Sequence, residues 1–477
     1  MIHRWAGGHR PDRIALRFGD AALSYGALDA AVFAAAAALA ARGVGRGDRV
    51  GFLGQNHPAQ IVALFACARL GAVLLPLNWR LAAPEWRFIL EDSGARLLLA
   101  TPDFLEAAAA AAPEGCAVAD ATALGGAGHA DAVGSDEDPV LLVYTSGTTG
   151  RPKGAVLDQR ALSFNALNAR DAFALTSDDR VLTVLPLFHV GGLNIQTTPA
   201  LQVGAEVILH PRFDADAFFD TVTRERPTLS LLVPAVMQAL VAHPRWRDAD
   251  FSSLRSVGAG SSDVPLPLID AFHRKGVPVQ QVYGATETCP IAIVQSRDEA
   301  LAAPGSLGRP ARHAECRLVD ATGAPCLPGM DGEIQVRGPA VLRGYWKRDD
   351  ALLPGGWFAT GDAGRVDEAG RWWFTDRLKH LIISGGENIY PAEVERVLLT
   401  APGVAEGAVV GRADARWGEV PVAVVVPAPG FDPARVLAHF EGRIARFKQP
   451  RDVVALPALP RTALGKVEVA RLRAMIA

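Results

Sequence analysis

No run of apolar residues in this chain is long enough to cross a bilayer. The longest, AAVFAAAAALAA at 30–41, spans twelve residues, against the about 20 that a membrane helix needs. No integral membrane segment is therefore expected, and the run is read as a small-residue helix packed closely on a neighbour. Cysteine is scarce: Cys67, Cys116, Cys289, Cys316 and Cys326 are five in number, widely scattered and without a CxxC pair. That argues against a disulfide framework or a zinc site and favours a reducing compartment. An excess of one charge is also missing. Lys and Arg number 48 against 51 Asp and Glu, a formal net charge of −3. Such a balance gives no general pull toward nucleic acid or anionic lipid, so any phosphate site must be local. The opening MIHRWAGGHRPDR has no apolar h-region and no small-residue cleavage site, so no signal peptide is read and a cytoplasmic protein is expected. Internal repeats and long low-complexity tracts are absent as well.

What is present is ordinary globular composition, 49% apolar and 21% charged over 477 residues, in a chain too long for one hydrophobic core. DRVGFLG (48–54), a helix-like PAQIVALFACARLGA (58–72) and VLLPLN (73–78) follow one another. ARLLLA (95–100), PVLLVYT (139–145), VLTVLPL (181–187), EVILH (206–210) and TLSLLVP (228–234) read as further buried strands. Strands alternating with helices indicate an α/β fold with mainly parallel sheets. The stretch 113–138, poor in large apolar residues, reads as a surface connection with little regular structure. From about 311 to 375, ECRLVD, GEIQVRG and RWWFTD form a β-rich subdomain of a large N-terminal domain, 1–375. After the polar DRLKH at 376–380 comes a small α+β domain, 381–477. It holds an amphipathic helix at 391–399, the strands GAVVGR and VPVAVVVP, and a basic helical tail.

The strongest chemical signal is YTSGTTGRPKGA, 144–155. A strand gives way to three glycines, several hydroxyl residues and one lysine. Glycines let the backbone approach a polyanion, hydroxyls and bare N–H groups donate to phosphate oxygens, and Lys153 adds positive charge. The spacing does not fit GxxxxGK[ST], which disfavours a Walker-type NTPase. The motif resembles the phosphate loop of the adenylate-forming superfamily, which includes acyl-CoA synthetases, coumarate–CoA ligases, firefly luciferase and peptide-synthetase adenylation domains. The resemblance implies that Thr145, Ser146, Gly147, Thr148, Thr149, Gly150 and Lys153 bind ATP.

It continues in order along almost the whole chain. LPLFHVGGL (185–193) is similar to the family's second core segment, which implies an acyl pocket lined by His189, Val190, Gly191, Gly192 and Asn194. A lone histidine after an apolar strand is more often a core residue, and only the surrounding match favours a pocket role. VYGATET (282–288) resembles YGxTE, with Tyr283 stacking on adenine beside Gly284, Thr286 on the α-phosphate and Glu287 on Mg²⁺. One carboxylate with phosphate oxygens is a usual way to hold that ion, although a Thr-Glu pair taken alone is more often a helix start. SVGAGSSDVP (256–265) stands where relatives read GGAP or GAAP; Gly260, Ser261 and Ser262 would contact the adenine, with Ser and Asp as departures. GWFATGD (356–362) is like the ribose-binding segment, placing Asp362 on both hydroxyls; alone it would pass for a Gly-Asp turn. DRLKHLIISGGENIYPAEVE (376–395) is similar to the hinge and first loop of a mobile lid. There Arg377 reaches the nucleotide, Lys379 is the hinge, and Ser384, Gly385, Gly386 and Glu387 border the CoA tunnel. His380 departs from the acidic residue of many relatives. LPRTALGKVEVARLR (459–473) resembles the closing signature, with Lys466 as the catalytic lysine.

The resemblance implies an ATP-, Mg²⁺- and coenzyme A-dependent carboxylic acid–CoA ligase, with Lys466, Thr286, Glu287 and His189 as its catalytic set. It would act on a small-molecule acid as a monomer or homodimer. HVGGLNIQ and TCPIAIV are mainly apolar, Gly191 and Gly192 leave room, and no Arg or Lys in these pieces awaits a second carboxylate. The expected substrate is a medium- or long-chain fatty acid, which would place the enzyme in fatty acid metabolism. Asn194 and Gln196 could instead meet a ring hydroxyl, making an aromatic acid the runner-up. Malonate is less favoured, and so is an amino acid, since PLFHVGGL carries no Asp for an amino group.

Overall fold

The computed structural model describes residues 1–125, 130–145, 152–260, 264–348, 350–384, 387–414, 417–444, 446–461 and 466–476. It divides into two compact units, Met1–Cys316 with Val336–Phe358, and Arg317–Gln335 with Ala359–Ala477. The β-rich stretch after 311 is thus shared between them.

The first unit is α/β. In its nine-stranded sheet the order is Arg309–Pro310, Ile293–Val294, Val279–Tyr283, Ser256–Gly260, Leu229–Leu232, Arg180–Thr183, Glu206–Leu209, Ile14–Phe18, Ala21–Ser24. The six strands from Val279–Tyr283 to Ile14–Phe18 run parallel, and the pairs at both edges are antiparallel. The seven-stranded sheet runs Gly344–Tyr345, Lys153–Asp158, Pro139–Thr145, Val73–Leu77, Arg49–Leu53, Leu97–Ala100, Ala117–Asp120. Its last five strands are parallel. Strands such as Val73–Leu77 and Leu97–Ala100 are buried at every position, as parallel strands covered on both faces must be. That is why continuous apolar runs located them.

Local signals set the helix ends. The Ser24 hydroxyl accepts from Ala27 N at 3.2 Å to start Tyr25–Ala41, and the Asp158 carboxylate accepts from Ala161 N at 2.7 Å to start Gln159–Phe173, each meeting an otherwise orphan N–H. The alanine run does form a helix, and it packs on Pro58–Leu70 with Ala35 and Ala36 fully buried. Two expectations change. The 113–138 stretch contains the edge strand Ala117–Asp120, paired in parallel with Leu97–Ala100. The run at 181–187 leaves its strand after Thr183. There the buried Asn56 side chain replaces ladder bonds, accepting from Leu187 N at 2.8 Å and donating to Leu185 O at 3.0 Å.

In the second unit, strands Phe358–Val366 and Trp372–Arg377 pair antiparallel, with Asp362 opposite Arg377. The C-terminal sheet orders Glu387–Ile389, Ile382–Ser384, Gly418–Pro427 and Val404–Asp414, with Asp452–Ala455 added parallel to Gly418–Pro427. Its long hairpin is buried on both faces. Val409, Ala423 and Val425 pack with Val394, Leu398 and Phe440, while Val410, Val422 and Val424 pack with Leu459, Leu472 and Ile476. The period-two alternation thus feeds two half-cores. Among the described residues no helix is long and apolar enough to cross a membrane.

Candidate active site

In an open parallel sheet, ligands bind beyond the carboxyl ends of the strands. Ser256–Gly260 and Val279–Tyr283 are adjacent parallel strands with Gly260 opposite Val282, so Gly260, Tyr283 and Gly284 share that edge. The chain then closes into a short 3₁₀ turn, Thr286–Thr288. Thr288 Oγ1 accepts from Ala285 N at 2.9 Å and lies 3.1 Å from Ala285 O. Gly284 has no alternative here, because a Cβ would sit 1.7 Å from the Pro290 carbonyl oxygen. Thr286 is half-buried, and the Glu287 residue is only 9% exposed.

A residue that sequence reasoning missed completes this corner. The Tyr345 hydroxyl donates to Glu287 Oε1 at 2.8 Å, and Leu342 N donates to Glu287 O at 2.8 Å. Gly344–Tyr345 pairs antiparallel with Lys153–Asp158, and Trp346 N donates to Gly154 O at 2.7 Å. Lys153 Nζ consequently lies 5.3 Å from the centre of the Tyr345 ring, within cation–π range. Burial and the Glu287 charge push the Tyr345 phenol upward, so it remains a donor at neutral pH. Thr145 pairs with Lys153 at the base of the hairpin. Ser146, Gly147, Thr148, Thr149 and Gly150, together with Ser261 and Ser262, lie outside the described residues. The site thus joins Glu287 from one sheet to Lys153 from the other through Tyr345. The only local trace in the sequence is an aromatic pair, Tyr345-Trp346, after a glycine.

These residues fit a magnesium ion carried by a nucleotide. One Glu287 oxygen is fixed by Tyr345, which holds the carboxylate in place for a cation. Among the described residues no group of three or more His, Cys, Asp or Glu is gathered that could hold a metal alone. Phosphate oxygens would have to supply the other ligands, as they commonly do for this ion.

The segment after His189 is built differently from its sequence reading. His189 is half-buried, its ring 4.9 Å from that of Phe188. Val190–Gly192 opens a short helix that widens into a π-turn at Leu193–Thr197, a deformation frequent at functional sites. Gly191 is half-buried and Val190 buried. The room expected at Gly192 is already filled, since a Cβ there would lie 2.2 Å from the Pro186 carbonyl oxygen. Asn194 is fully buried and committed to the framework. Its amide nitrogen lies 3.6 Å from Cys289 Sγ, its side-chain oxygen accepts from Thr198 Oγ1 at 3.3 Å, and its backbone carbonyl accepts from Asn165 Nδ2 at 2.6 Å. Asn165 in turn accepts from Ile291 N at 3.0 Å, tying the π-turn to the chain just past Glu287. The open polar capacity belongs to Gln196: its amide oxygen and nitrogen are buried and meet no partner among the described residues. Burial pushes the Cys289 and Cys67 thiols up, so neither supplies a thiolate.

In the second unit Asp362 is 3% exposed and stands within a strand, not in a Gly-Asp turn. Arg377 Nε lies 2.7 Å from Asp362 Oδ1. Asp376 receives Arg377 N and Ala392 N, both at 2.6 Å, and so caps helix Pro391–Leu398. Burial, with Asp362 adding to it, raises the Asp376 carboxyl to about 6. Leu378–His380 forms a 3₁₀ turn, and Ser384 ends a strand opposite Gly418. Gly385, Gly386 and the side chains of Lys379 and Glu387 lie outside the described residues. Lys466 is exposed, next to the bridge Arg461↔Val467.

With this geometry in hand, comparison with known proteins is specific. A family model described as AMP-binding enzyme matches residues 2–346, and one for the AMP-binding enzyme C-terminal domain matches 393–466. An indoleacetate–CoA ligase of Aromatoleum aromaticum is 50% identical, over 98% of this chain and 96% of its own. A feruloyl-CoA synthase of an Amycolatopsis species is 45% identical over 96% and 94%. A long-chain-fatty-acid–CoA ligase of Mycobacterium tuberculosis is 34% identical over 94% and 92%. Among solved structures, the o-succinylbenzoate CoA synthetase of Bacillus subtilis in complex with ATP and magnesium superimposes with a TM-score of 0.89 at 34% identity, covering 99% of this chain and 98% of that one.

Proposed function

Because the chain belongs to the AMP-binding enzyme family and is an acid–CoA ligase, we propose that the acid it activates is aromatic, an arylacetate or a hydroxycinnamate. The observation carrying this is the grading of its relatives, since those named for indoleacetate and ferulate are markedly more similar than the one named for long-chain fatty acids. The apolar lining had favoured a fatty acid; that preference is replaced by the runner-up. Buried polar capacity at Gln196 agrees with a ring bearing a hydroxyl or N–H, whereas a methylene chain offers no such partner.

ATP, magnesium and coenzyme A are the proposed co-reactants. In the first half-reaction the substrate carboxylate attacks the α-phosphorus and pyrophosphate departs, so negative charge grows on phosphate oxygens. Positioning and fixed charge do most of the work in such a transfer. Lys153 and the hydroxyls of the 145–150 loop hold the leaving phosphates, and Thr286 donates to the α-phosphate. Glu287 holds the magnesium ion, which when bound neutralises phosphate charge. Tyr283 and Gly260 bound the adenine, Asp362 and Arg377 receive the ribose side of the nucleotide, and Lys466 meets charge at phosphorus. In the second half-reaction the thiol attacks the mixed anhydride and AMP leaves. A turn of the lid about 376–380 then exchanges Lys466 for the Ser384–Glu387 face, a hinge motion of a familiar kind.

The test is a specificity panel with purified protein, ATP, magnesium and CoA. Indole-3-acetate, ferulate, octanoate, palmitate and malonate are compared by mass detection of the thioester. An aromatic acid is expected to give the highest kcat/KM, and a clear preference for palmitate or octanoate would reverse the assignment.

A further inference from the structure

Tyr345 belongs to neither the glycine-rich loop nor the Tyr-Gly-Ala-Thr-Glu segment, yet it touches Lys153 of the first and Glu287 of the second. Its hydroxyl is 2.8 Å from Glu287 Oε1 and its ring centre 5.3 Å from Lys153 Nζ. The backbone around it is fastened on both sides. Leu342 N is bonded to Glu287 O, and Trp346 N to Gly154 O. Glu287 is thus held at two points by residues 342–345, once through its main chain and once through its carboxylate. Tyr345 is itself fixed in register opposite Ala155.

We propose that Tyr345 is a positioning residue that sets the Glu287 carboxylate and the Lys153 ammonium in register, so that the metal and the phosphates of one nucleotide are received together. The inference rests on the reading of Glu287 as the magnesium-holding carboxylate. A buried carboxylate needs a hydrogen-bond donor to be satisfied and oriented, and the phenol supplies it at one Glu287 oxygen, leaving the other for a cation. Hydrogen-bond partners of metal ligands act in this way, by fixing orientation and basicity. The Tyr345 ring separately gives Lys153 a neutral, electron-rich surface 5.3 Å from its ammonium, so one side chain contacts both charged groups.

The two contacts can be separated. Tyr345→Phe removes the hydroxyl and keeps the ring, whereas Tyr345→Leu removes both. Binding of Mn²⁺ to the full-length protein with a non-hydrolysable ATP analogue, followed by electron paramagnetic resonance, reads the metal directly. Metal-free binding of AMP and of the analogue reads the rest of the site. Tyr345→Phe is expected to weaken Mn²⁺ by about tenfold, to raise the Mg²⁺ midpoint of pyrophosphate exchange in parallel, and to recover kcat at saturating Mg²⁺. AMP binding should stay unchanged. Tyr345→Leu should weaken metal-free binding of the ATP analogue as well. Unchanged Mn²⁺ affinity in Tyr345→Phe, or an equal loss of Mn²⁺ and AMP with a lowered melting temperature, would overturn the inference. Glu287→Gln separates the two levels. If it too leaves Mn²⁺ affinity intact, the reading of Glu287 fails; if only the tyrosine variant does, the role of Tyr345 fails.

Discussion

Asp362 and Arg377 face each other across adjacent antiparallel strands, with the guanidinium Nε 2.7 Å from the carboxylate Oδ1. The Asp362 side chain is 5% exposed and that of Arg377 is 43% exposed, so the pair is asymmetric. Removing the arginine takes a charge partner away from a buried carboxylate, whereas removing the carboxylate leaves a guanidinium that water can reach. Arg377→Ala is therefore expected to cost about 2 kcal/mol of stability, and Asp362→Asn less than about 1 kcal/mol. Both should weaken AMP binding in the account given above. Urea denaturation and calorimetric titration of AMP on the two variants measure the two orderings separately.

Asp376 carries a pH signature. Its folded carboxyl, raised to about 6 by burial, binds a proton more tightly than in the unfolded chain, where a carboxylate titrates near 4. The stability this provides is complete below about pH 4 and is lost as pH rises through about 6. Asp376→Asn cannot titrate. Chemical denaturation from pH 4 to 7 should show the slope in the wild type and a flatter profile in the variant, with a difference of up to about 3 kcal/mol.

Gly192 distinguishes packing from pocket. With Pro186 O only 2.2 Å from a hypothetical Cβ, Gly192→Ala must displace backbone, at a cost of about 1–3 kcal/mol. Its activity should fall by a similar factor with every acid accepted. A shift toward smaller acids at unchanged melting temperature would mean that the glycine shapes the pocket after all.

These residues also mark how far the sequence could be read. Strands covered on both faces, such as Val73–Leu77 and Gly418–Pro427, announced themselves as unbroken apolar runs. Ala117–Asp120 did not, because Ala-Val-Ala-Asp at a sheet edge holds a single large apolar residue and carries little hydrophobic signal. The family likeness was legible in the phosphate-loop and Thr-Glu segments because those motifs are local in sequence. The contact between Tyr345 and Glu287 was not, since it spans 58 residues and depends on a two-residue strand pairing with Lys153–Asp158. The surroundings of Asn194 were hidden for a similar reason. Its partners Asn165, Thr198 and Cys289 come from two other segments as well as its own, and only the folded chain brings them together.

Lys466 separates the two half-reactions. Lys466→Ala is expected to lower adenylate formation by at least about a hundredfold, while leaving thioester formation from supplied aryl-adenylate within about threefold of wild type. Stopped-flow or rapid-quench assays of each step check this. A parallel fall in both would contradict an exchange of lid faces.

The central claim is activation of an aromatic acid at phosphorus before CoA takes part. Exchange of labelled pyrophosphate into ATP, measured with wild-type protein and magnesium but without CoA, addresses it most directly. Exchange that appears only with indole-3-acetate or a hydroxycinnamate, and gives way to AMP and aryl-CoA when CoA is added, is the expected result. Exchange that requires CoA, or none with any aromatic acid, would contradict the account.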